Sequence, residues 1–141
     1  MSTSVKEIIE LAESLLESVQ ESSNEAVLRC STSRAYYAAL HAASLSLPDE
    51  LQVSTEEKKG KSSHQVVIDA IVLWAKSLKP GRQEAITMAR NLPKLKDARK
   101  HADYRLKADF TVEDARQSLK VAIATIDSAE RASKRTLTLQ A

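Results

Sequence analysis

Residues 33–43 read Ser33-Arg34-Ala35-Tyr36-Tyr37-Ala38-Ala39-Leu40-His41-Ala42-Ala43. Alanine has the best helix propensity, and the stretch holds neither glycine nor proline. Its small side chains let a neighbouring helix approach closely, which suits a central helix in a bundle. Positions seven apart on an α-helix differ in direction by only about 20°. Arg34, Tyr37 and His41 therefore line one stripe, and the alanines fill the remaining faces. The rest of the chain agrees. Its 141 residues hold 20 alanines against 5 aromatics, with 2 glycines and 3 prolines. That is too few turn-formers for a sandwich, a barrel or a doubly wound sheet. An all-α fold is predicted, a four- to five-helix up-and-down bundle in a single domain over residues 1–132, with 133–141 a frayed tail.

Working outward, the sequence predicts a helix upstream over about 4–19. Ser4 and Glu7 have capping-box spacing, and Val5, Ile8, Ile9, Ala12, Leu15, Leu16 and Val19 form its apolar stripe. Ser22-Ser23-Asn24 breaks and re-caps the chain, with Glu25 placed to complete a box with Ser22. The alanine-rich helix then runs over about 24–47 and stops before Pro48, which disfavours helical geometry in its predecessor. Residues 48–62 are polar, contain Gly60, and read as a mobile connection. A third helix over about 63–79 carries Val67, Ile71, Trp74, Ala75 and Leu78 and ends at Pro80-Gly81. A fourth spans about 82–107, with Pro93 expected to kink or restart it. The last runs from the N-cap candidate Thr111 to about Ala132, with Val112, Ala115, Leu119, Ala122, Ile123, Ile126 and Ala129 facing inward.

Several chemistries are excluded or left without support. One cysteine, Cys30, cannot form an internal disulfide framework. The opening residues lack a signal-peptide pattern and no apolar run approaches a membrane span, so a cytoplasmic protein without membrane attachment is expected. His41, His64 and His101 sit on separate segments without metal-ligand spacing, so neither metal nor cofactor is expected. Lys59-Gly60-Lys61-Ser62 lacks the glycine spacing of a phosphate loop. No tight turn joins two short helices as a helix-turn-helix requires. Charge is segregated. Residues 1–30 hold six acids against two bases, and residues 90–107 hold seven bases against two acids. The basic segment contains Lys96, Arg99 and Lys100 and reads either as a phosphate-binding track or as a solvated helix face.

The Arg-Tyr-His stripe leaves two alternatives open. Burying these groups is costly unless each is paired. Either Arg34 pairs with a glutamate of the first helix and the rings are hydrogen-bonded structural groups, or the three meet a phosphate in a shared groove.

Arg34-Ala35-Tyr36-Tyr37-Ala38-Ala39-Leu40-His41-Ala42-Ala43 resembles the second helix of HEPN-domain proteins, small helical bundles of prokaryotic toxin–antitoxin and defence systems. Arg99-Lys100-His101-Ala102-Asp103-Tyr104, followed by Thr111-Val112-Glu113-Asp114-Ala115, resembles a second landmark of that family. The likeness covers residues 4–132. It implies a metal-independent ribonuclease with an Arg and a His separated by four to six residues, paired across a homodimer. Arg34 and His41 fit that spacing as the catalytic pair. In this reading His41 exchanges a proton with the ribose 2′-OH or the leaving oxygen, and Arg34 holds the phosphate. Tyr37, Lys96, Arg99, Lys100 and Tyr104 bind the RNA. The resemblance equally covers non-catalytic modules that bind RNA, nucleotide, a nucleotidyltransferase or an antitoxin. Two features depart from the nuclease pattern. Ala35 follows the arginine where a polar residue is usual, and the pair lies on the second helix where the better-known nucleases use a late one.

Overall fold

A computed structural model describes residues 4–19, 24–52 and 63–140, with side chains up to Arg135. The described residues form five α-helices, with no strand among them: α1 (Val5–Glu17), α2 (Glu25–Ser46), α3 (Ser63–Lys76), α4 (Arg82–Tyr104) and α5 (Val112–Gln140). None is long and apolar enough to cross a membrane. Ser22, Ser23 and residues 53–62, which include Lys59–Ser62 and the connection read above from residue 53 onward, lie outside the described residues.

The caps are built as their sequences require. Ser4 Oγ accepts from the Glu7 N–H at 3.1 Å, and Asn24 Oδ1 accepts from the Val27 N–H at 3.4 Å. At the head of α5, Thr111 and Asp114 exchange bonds, each side chain accepting from the other's backbone N–H at 3.1 and 2.9 Å. Helix α2 ends at Ser46, and one 3-10 turn (Asp49–Leu51) follows Pro48.

Helix α2 is the centre. It packs most extensively on α5, then on α1 and α4, while α3 packs mainly on α4. Ala35, Ala38, Ala39, Ala42 and Ala43 are all buried, and Tyr36 and Trp74 are fully buried beside them. Such close approach is what the small residues permit. Trp74 also fixes the α3–α4 turn. Its Nε1 donates to the Pro80 carbonyl at 3.0 Å, and Gly81 sits against its ring with φ +86°. A Cβ on Gly81 would lie 2.6 Å from Trp74 Cζ2, so both the backbone angle and the space demand glycine.

Arg29, only 8% exposed, ties three segments together. Its guanidinium donates to the carbonyls of His101 (2.9 Å), Ala102 (2.9 Å) and Ala108 (2.6 Å) and to Glu25 (3.0 Å), and it lies over the Phe110 ring. Glu25 in turn accepts from the Phe110 N–H at 2.8 Å. Carbonyls in the last turn of α4 thus gain a side-chain donor, and that of His101 also accepts from the Arg105 N–H at 3.3 Å.

Four expectations need correction. Helix α3 stops at Lys76 and Leu78 is 97% exposed, because the Ser77 hydroxyl bonds to the Trp74 carbonyl and closes the helix early. Helix α4 runs unbroken through Pro93 and ends at Tyr104, three residues short of Lys107. Ile123 is largely exposed; Ala122 and Ile126 take the inward positions. Helix α5 continues to Gln140 and does not end at Ala132. Ala132 is buried against the Gly81 turn, and Arg135 bonds to Glu84 of α4, so packing extends past the predicted end.

Candidate functional site

The outward stripe of α2 carries Cys30, Arg34 and His41, all exposed, with Tyr37 half-buried between them. Among the described residues Arg34 makes no hydrogen bond or ion pair, so the pairing of Arg34 with an α1 glutamate is not what the structure shows. On α1, Lys6 faces Glu10 of its own helix.

Helix α4 supplies the facing wall. Arg99 Nη2 donates to the Tyr37 hydroxyl at 2.9 Å. Arg99 Nε lies 2.9 Å from Asp103 Oδ2, an ionic contact that lacks hydrogen-bond alignment. The guanidinium sits between the Tyr37 and Tyr104 rings, at 5.6 and 5.1 Å from their centroids, a cation–π sandwich. Burial works against its charge, yet contact with Tyr37, Tyr104 and Asp103 holds its pKa above the ordinary value, so it stays cationic. Ser33 donates to the same Asp103 carboxylate at 3.3 Å, fixing α2 to α4 beside the site. One helical turn before Arg99, Lys96 donates to Gln65 of α3 at 2.8 Å. Lys96 and Lys100 also edge a depression of about 260 Å³ floored by Ile68 and Pro93, with Gln65 and Asp97 completing its rim.

One member of this cluster has no signal in the sequence. His64, in the first turn of α3, meets the Tyr36 and Tyr37 rings edge-on with centroids 5.5 and 5.4 Å apart. Burial pushes its pKa below the ordinary imidazole value, and the charges of Arg99, Lys96 and His41 push it the same way. His41 thus lies within electrostatic reach of His64, although the two sit on different helices. The Tyr36 hydroxyl, raised to about 12 chiefly by burial, has no hydrogen-bond partner among the described residues.

Five residues assigned from sequence therefore meet on one surface. Tyr37, Arg99 and Tyr104 form a stacked unit, and Lys96 and Lys100 extend it along α4. His41 adjoins through His64. Arg34 stands on the same stripe of α2 but touches none of them. The chain matches no family model and no curated protein. His101, the other histidine of α4, is structural: its Nε2 lies 3.1 Å from the Asp109 carbonyl oxygen and its ring meets Phe110. Among the described residues, no three His, Cys, Asp or Glu side chains come together as a metal would require. A search for an Arg–His spacing within one helix could not reach His64, because tertiary packing alone brings it to the site.

The arrangement can hold a phosphate and flank it with a stackable ring. Arg34, Lys96 and Lys100 offer charge, and Tyr104, 67% exposed, offers an aromatic face on which a base can stack. The two imidazoles supply groups that exchange protons near neutral pH.

Proposed function

We propose that this protein is a metal-independent endoribonuclease of the HEPN type, acting on single-stranded RNA. The observation that supports the reading is the exposure of Arg34 and His41, without a hydrogen bond among the described residues, on one stripe of α2 beside the Tyr37–Arg99–Tyr104 unit and the basic edge of α4. In this reading the lysines and Tyr104 hold the strand, and Arg34 takes the phosphate as negative charge builds in the transition state. His41 protonates the leaving oxygen. Attack by the 2′-OH makes RNA, and not DNA, the substrate and leaves a 2′,3′-cyclic phosphate. The α2 stripe is also the proposed face of a homodimer, in which two copies of Arg34 and His41 would meet.

The experiment is cleavage of labelled single-stranded RNA in EDTA. Wild type should cut RNA and leave a DNA strand intact. His41→Ala should lower the rate by on the order of 10²–10⁴-fold. Arg34→Lys should also be impaired, since a point charge cannot reproduce the planar guanidinium contact. Undiminished cleavage by His41→Ala would overturn the assignment of His41. Light scattering at micromolar concentration checks the dimer, which a monomer mass would rule out.

A second reading has one observation in its favour: Ala35 is buried and apolar beside Arg34. It makes the protein a non-catalytic HEPN module that binds RNA, nucleotide, a nucleotidyltransferase or an antitoxin. Intact RNA combined with steeply salt-dependent binding, weakened by Lys96→Glu and Lys100→Glu, would favour it.

A further inference from the structure

Cleavage through the 2′-OH moves two protons, one off the attacking hydroxyl and one onto the departing oxygen. His41 can perform one of these transfers, and the other falls either to the partner protomer's copy of His41 or to a second group of the same protomer. We propose that His64 is the second acid–base residue of this site, so that the base and the acid both come from one protomer. The proposal rests on the ribonuclease reading above. In it, His64 takes the proton as the 2′-oxygen bonds to phosphorus, and the bond from phosphorus to the 5′-oxygen breaks. His41, entering as imidazolium, gives its proton to that 5′-oxygen. The products are a 2′,3′-cyclic phosphate and a 5′-hydroxyl, and exchange with water restores both rings.

Three features of the structure carry this assignment. Among the described residues neither ring nitrogen of His64 makes a hydrogen bond, although the ring is partly buried. Tyr36 and Tyr37 clamp the ring edge-on from α2, which limits its orientation. The titratable groups that reach it are His41 from α2 and Lys96 and Arg99 from α4, which are the groups that would bracket a bound phosphate. Desolvation first, and then these neighbours, lower its pKa, which favours the neutral imidazole able to accept a proton. A packing histidine would need none of this. Its nitrogens would be bonded to neighbours, as His101 is to Asp109.

The test compares two substrates across pH, in EDTA: a short single-stranded RNA and uridine 3′-(p-nitrophenyl phosphate). The nitrophenolate departs without a proton, so that substrate bypasses the acid and still needs the base. His64→Gln, which keeps much of the side-chain volume, should cut RNA on the order of 10²–10⁴-fold more slowly. It should lose the acid limb of the pH–rate profile and stay slow on the nitrophenyl ester. His41→Ala should regain most of its rate on that ester. Circular dichroism confirms that both variants are folded, and His64→Asn serves if His64→Gln is not. Wild-type cleavage by His64→Gln, or its rescue by the nitrophenyl ester, would overturn this proposal and leave the ribonuclease reading standing. Absence of any cleavage by wild type would overturn both. Mixing His41→Ala with His64→Gln should restore nothing, whereas recovered activity would show that the two histidines act from different protomers.

Discussion

Arg29 and Arg34 lie five residues apart on the same helix, and they live in opposite surroundings. Arg29 is buried, and its guanidinium is consumed by three carbonyls and a carboxylate. Arg34 is exposed and makes no bond among the described residues. A buried cation must be saturated to be tolerated, and saturation leaves nothing for a ligand. An exposed cation held on a rigid, otherwise packed helix keeps its donors for something that arrives. The contrast separates scaffold from site within one element, and Arg99 falls between the two. It is bonded to Tyr37 and Asp103, yet its stacked face opens toward exposed Tyr104.

The sharpest way to break the comparison is to exchange both arginines for methionine. Arg29→Met should cost about 3 kcal/mol in urea denaturation, because it removes the guanidinium from the carbonyls of His101, Ala102 and Ala108 that it joins inside the fold. Arg34→Met should stay within about 0.5 kcal/mol of wild type while RNA cleavage collapses. Equal stability losses would show that Arg34 is scaffold too. Gly81→Ala should follow at about 2 kcal/mol, combining a strained positive φ with the clash against Trp74. Tyr36→Phe works in the other direction. Removing a buried hydroxyl that lacks a partner should stabilise the fold by about 1 kcal/mol, and a measured loss would reveal a hidden partner.

The smallest effect concerns pH. His64 has a lowered pKa in the fold, so between that value and the ordinary 6.5 the unfolded chain binds more protons. Stability should therefore be full above about pH 6.5 and fall as pH drops through and below it. His64→Gln should flatten that part of the curve. Tyr36 acts at the other extreme. Its hydroxyl is raised to about 12, so stability should decline as pH climbs above 10.

The architecture was legible because its signals are local. Ser4 with Glu7, Thr111 as an N-cap, and Leu47 before Pro48 each act within a few residues, and the structure places helix ends close to them. The alanines of α2 announced close packing without saying what packs there. In the sequence Arg29 reads as one charge among many, because its carbonyl partners lie more than seventy residues away. His64 reads as an isolated histidine for the same reason, since the groups around it belong to α2 and α4. The extension of α5 rests on Glu84 and the Gly81 turn, both remote in sequence. Propensity and caps find elements; polar satisfaction across elements has to be seen.

The dominance of the α2–α5 contact carries a consequence for how the chain acquires its shape. Neighbours in sequence, such as α1 with α2 and α3 with α4, can pair with little loop entropy to overcome. The helix that packs most extensively on α2 comes much later. At about 5–20 residues per second, synthesis leaves several seconds between the emergence of α2 and that of α5. During that interval a helical hairpin waits with an apolar flank uncovered, open to a chaperone or to the same flank of another nascent chain. Docking of α5 closes that window, and full cooperativity begins only then.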